Sequence, residues 1–489
     1  MDISAKLREI DEVIEKGTYN TWESLTDMEM PSWFEKAKFG IFVHWGVFSV
    51  PAFANEWYSR CMYDQNDRAY KHHIETYGPH KDFGYKDFIP MFRAEKFDPD
   101  EWLDIFKSAG AKYIVPVAEH HDGFQMYASE LSEWNAAKMG PQRDVLGELK
   151  RAADERNIFF AASSHRAEHY WFLGVGRQFE SDIKGEFERG HIYWPSVSTQ
   201  PDQSDFKSEP MASEEFLEDW LLRTVEIINR FQPRILYFDW WVQHISYRET
   251  LRKIVAYYYN KGIEWGTPVS VCYKHEALPF GAGIVDVERG KLSDTKPYHW
   301  QTDTSIAHNS WCYVDGLDYK SPLELVRYLV DVVAKNGNLL LNIGPRADGS
   351  IAEEDKRILA QIGKWLGVNG EAIYNSKPWR ISSEGPTLEK EGKFSDERNK
   401  AYTCEDYRFT VGNGAVYATV MSYPKDGRCL IKSLAQGDIN GTNFQGFIEK
   451  VSILGVGEVP FSAETDGLHV LGPVLETEYP VVIKVECFA

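Results

Sequence analysis

The chain has 489 residues, 43% of them apolar, which is too many for one core and enough for a large barrel plus one further domain. Its formal net charge of −20 excludes a sequence-independent nucleic-acid binder, which needs a basic face. No apolar run approaches the ~18 residues required to cross a bilayer.

The first sixteen residues, MDISAKLREIDEVIEK, are charged and read as a helix. They contain no apolar core, so no signal peptide is expected in the chain as written. A cytoplasmic protein fits, and so does a secreted, periplasmic or lysosomal-type protein whose signal has been removed. Trp33 to Ser49 then reads WFEKAKFGIFVHWGVFS. Phe39 to Val43 is a short buried strand that delivers His44 at its end, and Asn55-Glu56-Trp57-Tyr58 follows in the next loop. Asp98, Pro99 and Glu101 open a capped helix that should stop at Gly110.

Tyr113 to Val117 is the second strand, running into Glu119-His120-His121-Asp122-Gly123-Phe124. A helix from about Asp144 to Arg156 leads to the strand Ile158 to Ala162, which ends in Ser163-Ser164-His165. The following residues, to Ser213, show little periodicity but are dense in His, Trp and Tyr, and a connection this long is more often functional than idle. A helix from Glu214 to Arg230 feeds the run RILYFDWW, in which Ile235 to Phe238 form a buried strand ending at Asp239. A helix at Tyr247 to Asn260 precedes a strand at Pro268 to Tyr273 ending in Lys274-His275, and Ile284 to Val287 ends in Glu288. Ser321-Pro322-Leu323-Glu324 is a capping box whose helix should end at Asn336-Gly337. Leu339 to Ile343 is one more buried strand, and the last helix runs from about Glu353 to Leu366.

Strands alternating with amphipathic helices predict a parallel sheet, here a (β/α)8-like barrel over residues 1–377 with seven legible strand units. From 378 to 489 the helical period vanishes. Short runs such as Ala415 to Met421, Val451 to Leu454 and Val481 to Val485, separated by turn residues, predict an all-β domain, a sandwich. Six cysteines (Cys61, Cys272, Cys312, Cys404, Cys429, Cys487) have no CxxC spacing, so neither a zinc knuckle nor a disulfide scaffold is expected.

Barrel active sites lie at the C-terminal ends of the strands. His44, His120, His121, His165, Asp239, Lys274 and Glu288 all fall at such ends. A carboxylate walled by Phe238, Trp240 and Trp241 is costly unless it is used or paired. Glycoside hydrolysis needs two carboxyl groups flanking one bond, and Asp239 and Glu288 are the natural pair. Glu288 has Arg289 and Lys291 nearby as alternative ion-pair partners, and Asp122 is a third candidate in an ordinary Asp-Gly turn. The content of 14% aromatics suits sugar stacking and a large packed core alike. Two other readings of the His-rich strand ends stay open: metal ligation by His120, His121, His44 and Asp239, and ligation by His165 with His169, four residues on.

At this point the chain resembles the retaining α-L-fucosidases of glycoside hydrolase family 29. The resemblance rests on KFGIFVHWGVFSVPAFANEWYSRCMY at Lys38 to Tyr63, HHDGF at His120 to Phe124, SSHRAEHYW at Ser163 to Trp171, and YFDWW around Asp239. It continues through VERG at Val287 to Gly290, WQTDTSI at Trp300 to Ile306, NGNLLLNIGPRADGSI at Asn336 to Ile351 and NGEAIYNSKPW at Asn369 to Trp379. It implies an exo-acting, cofactor-free enzyme on fucosylated glycans, with no resident metal and no nucleic-acid or membrane partner. It implies Asp239 as nucleophile, His44, His120 and His121 on ring hydroxyls, and Glu56 and Trp57 lining the same pocket. His165 and Tyr237, the latter two residues before Asp239, are further substrate-binding candidates.

The segment in which some members place the acid/base Glu carries Gln301 here, so that role falls to Glu288 or to a loop carboxylate, Glu168, Glu180, Asp182 or Glu186. Two departures, Glu119 before HHDGF and Tyr237 where some relatives carry Trp, keep L-galactose and L-glucose open as substrates. A degenerate, non-cleaving glycan binder and a metal-dependent barrel hydrolase are the remaining alternatives. Oligomeric state is not legible.

Overall fold

The computed structural model describes residues 2–396, 398, 400–437 and 444–487. Its centre is a closed parallel barrel. The staves are β1 (Phe39–Val43), β2 (Tyr113–Glu119), a third stave in two pieces, β3 (Phe159–Phe160) and β4 (Ala162–Ser164), then β5 (Ile235–Phe238), β6 (Ser270–Tyr273), β7 (Ile284–Asp286), β8 (Trp300–Ser305) and β9 (Gly337–Ile343). β9 pairs with β1 and β1 with β2, so the sheet closes on itself. The stave missing from the seven legible ones is β8. Its sequence, Trp300-Gln301-Thr302-Asp303-Thr304-Ser305, lacks the apolar run of the other strands, yet every residue in it is buried.

The reason lies in what the barrel encloses. Phe42, Tyr113, Val115, Val117, Ile235, Tyr237, Cys272, Ile284 and Leu340 fill the lumen, while the alternate residues Ile41, Ile114, Leu236, Val271 and Leu341 face the helices. Along β8 the alternation is Gln301 and Asp303 inward against Thr302 and Thr304 outward. Inside, the Tyr113 hydroxyl donates to Gln301 Oε1 (2.8 Å), Gln301 Nε2 donates to Asp286 Oδ2 (2.8 Å), and the Tyr237 hydroxyl donates to Asp303 Oδ2 (2.8 Å). Buried polar groups are tolerated because they are hydrogen-bonded to one another.

The helices start where caps put them. Asp98, Asp144, Ser213 and Ser321 each accept a backbone N–H of the first turn, at Pro99–Ser108, Val145–Glu155, Glu214–Phe231 and Pro322–Ala334. The aperiodic stretch after His165 contains three short helical pieces, Arg166–Glu168, His169–Phe172 and Gly174–Gln178, each too short to show a period. The changeover to antiparallel structure falls between Asn369 and Lys377. A six-stranded sheet (Lys377–Glu384, Tyr407–Gly412, Ala415–Val420, Val481–Cys487, Ile448–Ile453, Gly457–Glu458 in spatial order) faces a three-stranded one (Arg428–Ile431, Leu468–Leu471, Phe461–Ala463). Phe409, Ala418, Ile431, Val451, Leu468 and Ile483 pack between them, as in a sandwich. The sandwich is tied to the barrel by the buried pair Arg408–Asp331 (2.5 Å) and by Trp365 Nε1 donating to Pro480 O (2.8 Å).

Behind the barrel mouth lies a buried ion cluster. Asp219 meets Arg166 (2.7 Å), Arg223 (2.8 Å) and Arg189 (3.3 Å), and Glu119 meets Arg166 (2.6 Å) and Arg223 (3.1 Å). Despite burial, the three guanidinium groups hold the Asp219 carboxyl down to about 2. The charge of Glu119 is thereby paired outside the pocket. Removing one partner of such a cluster leaves buried charge uncompensated. Asp219→Ala is therefore expected to lower unfolding stability by about 3–5 kcal/mol in urea titrations, and a loss under 1 kcal/mol would contradict this account.

Candidate active site

The strand period places the site. Each inward series continues one step past the end of its strand: Phe42 to His44, Ser163 to His165, Tyr237 to Asp239, Cys272 to Lys274 and Asp286 to Glu288. On β2 the register against β4 shifts between Val117 and Glu119. That irregularity turns Glu119 out to its arginines and leaves His120 facing in, as bulges beside active sites do. All these side chains line one pocket with Phe42, Glu56, Trp57, His121, Gln203, Phe206, Tyr237, Trp240, His275, Asp303, Trp311, Lys393 and Phe394.

The pocket is organised around Lys274. Its Nζ lies 3.1 Å from Asp239 Oδ1, 3.0 Å from Glu288 Oε2 and 3.3 Å from Asp303 Oδ2. Burial works against the ammonium charge, but Asp239, Asp303 and Glu288 hold it well above the ordinary lysine range. Burial also opposes ionisation of Asp239, yet Lys274 and hydrogen bonds from His121 and His165 hold that carboxyl well below the ordinary range. Glu288 is pushed the other way, up to about 7: burial and the charges of Asp303 and Asp239 outweigh Lys274. Two carboxyl groups on one ammonium thus have their ionisation driven apart, the pattern that separates a proton donor from an anion. Both stay partly open to solvent, with 15% and 18% of their side-chain surface exposed.

The imidazoles are held by specific bonds. His165 uses Nδ1 on Asp239 Oδ2 (3.0 Å) and Nε2 on the Ser163 hydroxyl (3.0 Å). His121 uses Nδ1 on the His165 carbonyl (2.9 Å), with Nε2 3.4 Å from Asp239 Oδ2. His44 Nδ1 meets Asn342 Oδ1 (2.6 Å), and His120 Nδ1 has no partner among the described residues. Burial and neighbouring imidazoles keep His44 and His120 well below the ordinary histidine range, so both are neutral. His121 is pushed up to about 9: burial opposes its charge, but Glu168 and Asp239 favour it. Ligand atoms of His44, His120 and His165 lie within 4.8 Å of one another, as do those of His121, His165 and Asp239. A metal ion in either group would have to displace bonds that already engage both nitrogens of His165. In the second group it would also sit beside the Lys274 ammonium.

Glu56, pushed up by burial, accepts from the Trp311 backbone N–H (3.1 Å), and the Trp311 ring lies over His44 at 5.3 Å between centroids. Gln301 lies deeper in the lumen and does not reach the pocket, and Glu288 pairs with Lys274 rather than with Arg289 or Lys291. Asp122 is turned away, accepting from the Tyr85 hydroxyl (2.6 Å) and the Phe124 N–H (3.1 Å). The loop carboxylates separate too. Asp182 is held by Tyr63, Tyr193 and Lys86, Glu180 pairs with Lys184 on the surface, and Glu186 does not line the pocket. Glu168 lies buried behind His121 (3.5 Å). His169 bonds the carbonyls of His121 (2.8 Å) and Trp194 (2.9 Å), so it does not join His165 in a ligand pair. Sequence reasoning singles out neither Trp311 nor Asp303. Asp303 belongs to the stave without an apolar run, and nothing around Trp311 in the sequence marks it.

The sequence profile described as alpha-L-fucosidase matches residues 7–371. Tissue alpha-L-fucosidase of Rattus norvegicus is 34% identical over 413 residues, 83% of this chain and 79% of that protein. Plasma alpha-L-fucosidase of Homo sapiens is 35% identical over 383 residues, 75% of this chain and 74% of that protein. Among solved structures, Thermotoga maritima alpha-fucosidase in complex with a mechanism based inhibitor superposes with a TM-score of 0.74 at 27% identity, covering 96% of this chain and 99% of that one. With the profile covering the whole barrel and relatives above 30% identity over most of their length, this chain belongs to the α-L-fucosidases of glycoside hydrolase family 29.

Proposed function

We propose that the protein is an exo-acting, retaining α-L-fucosidase that releases terminal α-L-fucose from fucosylated glycans by double displacement, with Asp239 as nucleophile and Glu288 as acid/base. The observation that carries this is the single ammonium between the two carboxyl groups. Each has an oxygen within hydrogen-bond reach of Lys274 Nζ, so those oxygens lie no more than about 6 Å apart. That bound admits the ~5–5.5 Å carboxyl separation of retaining enzymes.

In the first step Glu288, protonated because of its raised pKa, gives its proton to the leaving oxygen while Asp239 attacks the anomeric carbon. The C–O bond to the leaving group breaks as the ester to Asp239 forms. In the second step Glu288, now a carboxylate, takes a proton from water, which attacks the same carbon from the leaving-group side and releases Asp239. Lys274 and the bonds from His165 and His121 keep Asp239 ionised and aimed. His44 and His120 hydrogen-bond the ring hydroxyls, and Glu56 adds a carboxyl beside them. Phe42, Trp57, Tyr237 and Trp311 supply apolar surface of the kind that C–H faces and a C6 methyl group require, which favours L-fucose over L-galactose or L-glucose.

Three measurements test this. Asp239→Asn is nearly isosteric but cannot form the ester, so kcat is expected to fall by several orders of magnitude while L-fucose binding survives. A variant keeping a tenth of the wild-type kcat would remove Asp239 from the role. Glu288→Ala is expected to slow substrates with poor leaving groups far more than aryl fucosides with acidic ones. Added azide should restore turnover and give the α-configured fucosyl azide, whereas equal losses on all leaving groups with no rescue would point to another acid/base.

The third measurement is the pH profile of kcat/KM, which reports the free enzyme. Asp239 has a depressed pKa and stays ionised into strong acid. Glu288 must be protonated, and its pKa near 7 predicts a rate that falls as pH rises through about 7. Lys274→Gln removes a charge that lowers both, so both limbs should move to higher pH. A basic limb that stays in place would contradict the pairing.

A further inference from the structure

A segment from beyond the barrel reaches back to the pocket. Lys291 and Gly392 form an antiparallel bridge, with the Gly392 N–H donating to Lys291 O (2.9 Å). The Phe394 N–H donates to the carbonyl of Glu288 itself (2.9 Å), the Asp396 N–H donates to Arg289 O (3.0 Å), and the Lys291 N–H donates to the Ser395 hydroxyl (3.1 Å). Asp396 clamps the end, accepting from Lys320 Nζ (2.6 Å) and the Thr304 hydroxyl (3.1 Å). The strap is thus fastened to the loop that carries Glu288, and it presents Lys393 and Phe394 to the pocket.

Both side chains stand in unusual settings. Phe394 has φ +54°, a left-handed backbone that costs a non-glycine residue about 1–3 kcal/mol, and its residue surface is 62% exposed at the pocket mouth. Lys393 Nζ lies 3.3 Å from His275 Nδ1, a neutral ring. The His275 ring in turn lies 6.3 Å from Trp240 and 6.2 Å from Phe206, centroid to centroid, continuing the mouth as an aromatic wall. The other basic groups around this opening, Lys274, Arg289, Lys291 and Lys320, each meet a carboxylate. Lys393 meets none among the described residues, in a chain with 74 acidic side chains against 54 Lys and Arg.

We infer that the strap Gly392–Asp396 completes the leaving-group side of the site, with Phe394 packing on the leaving group and Lys393 selecting one that bears an anionic substituent, a carboxylate or a sulfate. This rests on the reading of Glu288 as the acid/base, because the acid stands on the leaving-group side of the bond. An aromatic face suits the C–H face of a sugar or an aryl ring, and an ammonium without a carboxylate partner is the complement of an external anion.

The test uses aryl α-L-fucosides matched in shape: 4-carboxyphenyl against 4-carbamoylphenyl, and 4-sulfophenyl against 4-sulfamoylphenyl. In low salt the wild type is expected to favour the anionic member by about three- to five-fold in kcat/KM, the range of one exposed ion pair. The preference should shrink toward one in about 0.5 M NaCl. Lys393→Glu should lower the anionic-to-neutral ratio about ten-fold, and Lys393→Arg should keep it. Phe394→Ala should lower kcat/KM for all four aryl fucosides about three-fold or more relative to α-L-fucosyl fluoride, which has no leaving-group ring. A response by one matched pair alone identifies the anion as a carboxylate or as the sulfonate that stands in for sulfate. A wild type that hydrolyses α-L-fucosyl fluoride but whose ratio is unmoved by Lys393→Glu would overturn the inference and leave the enzyme assignment standing. A wild type that does not release fluoride would overturn both.

Discussion

One ammonium group holds the site together. Lys274 Nζ is shared by Asp239, Glu288 and Asp303, three carboxyl groups delivered by three different staves. Without it, two anions a few ångströms apart in a buried pocket would repel, and one would be forced to take a proton at random. With it, local asymmetry decides. Asp239 also receives His165 and His121 and remains an anion, whereas Glu288 has only the ammonium against burial and two acidic neighbours, and keeps its proton near neutrality. Asp303 is fixed from below by the Tyr237 hydroxyl, so the lysine is anchored to the barrel lumen as well as to the mouth.

Much of this arrangement was legible in the residues because strand geometry is periodic. Once Ile235 to Phe238 and Phe39 to Val43 are read as buried strands, the inward positions continue to Asp239 and His44 without further information. What stayed hidden had physical causes. β8 fills the lumen with Gln301 and Asp303 rather than with aliphatic side chains, so it lacks the apolar signature of a buried strand. Glu119 occupies an inward position by simple alternation, and only the register shift on β2 turns it to Arg166 and Arg223. The acid/base candidates in the loop after His165 could not be sorted by sequence, because burial of Glu168 and pairing of Asp182 are tertiary facts. Lys393 and Phe394 were beyond reach, since a hundred residues separate them from the strand end they cover.

That long-range covering also gives the C-terminal region a part in the site. The sandwich is joined to the barrel through Arg408 and Asp331, and the strap that precedes its second strand is bonded to the backbone of Glu288 and Arg289. Displacement of this strap would be felt first at Glu288, the proposed proton donor. In the proposed mechanism the barrel supplies the nucleophile and the sugar-binding imidazoles, and the chain beyond it shapes the side from which the leaving group departs and water arrives.

In the proposed mechanism Asp239 forms a covalent bond to the sugar, and direct trapping tests that bond most simply. Incubation with 2-deoxy-2-fluoro-α-L-fucosyl fluoride should inactivate the enzyme with the mass increase of one fluorofucosyl group. Peptide mapping should place that group on Asp239 within the segment Tyr237-Phe238-Asp239-Trp240-Trp241. A label on any other residue, or turnover without a trapped adduct in the wild type and in Glu288→Ala alike, would contradict the account.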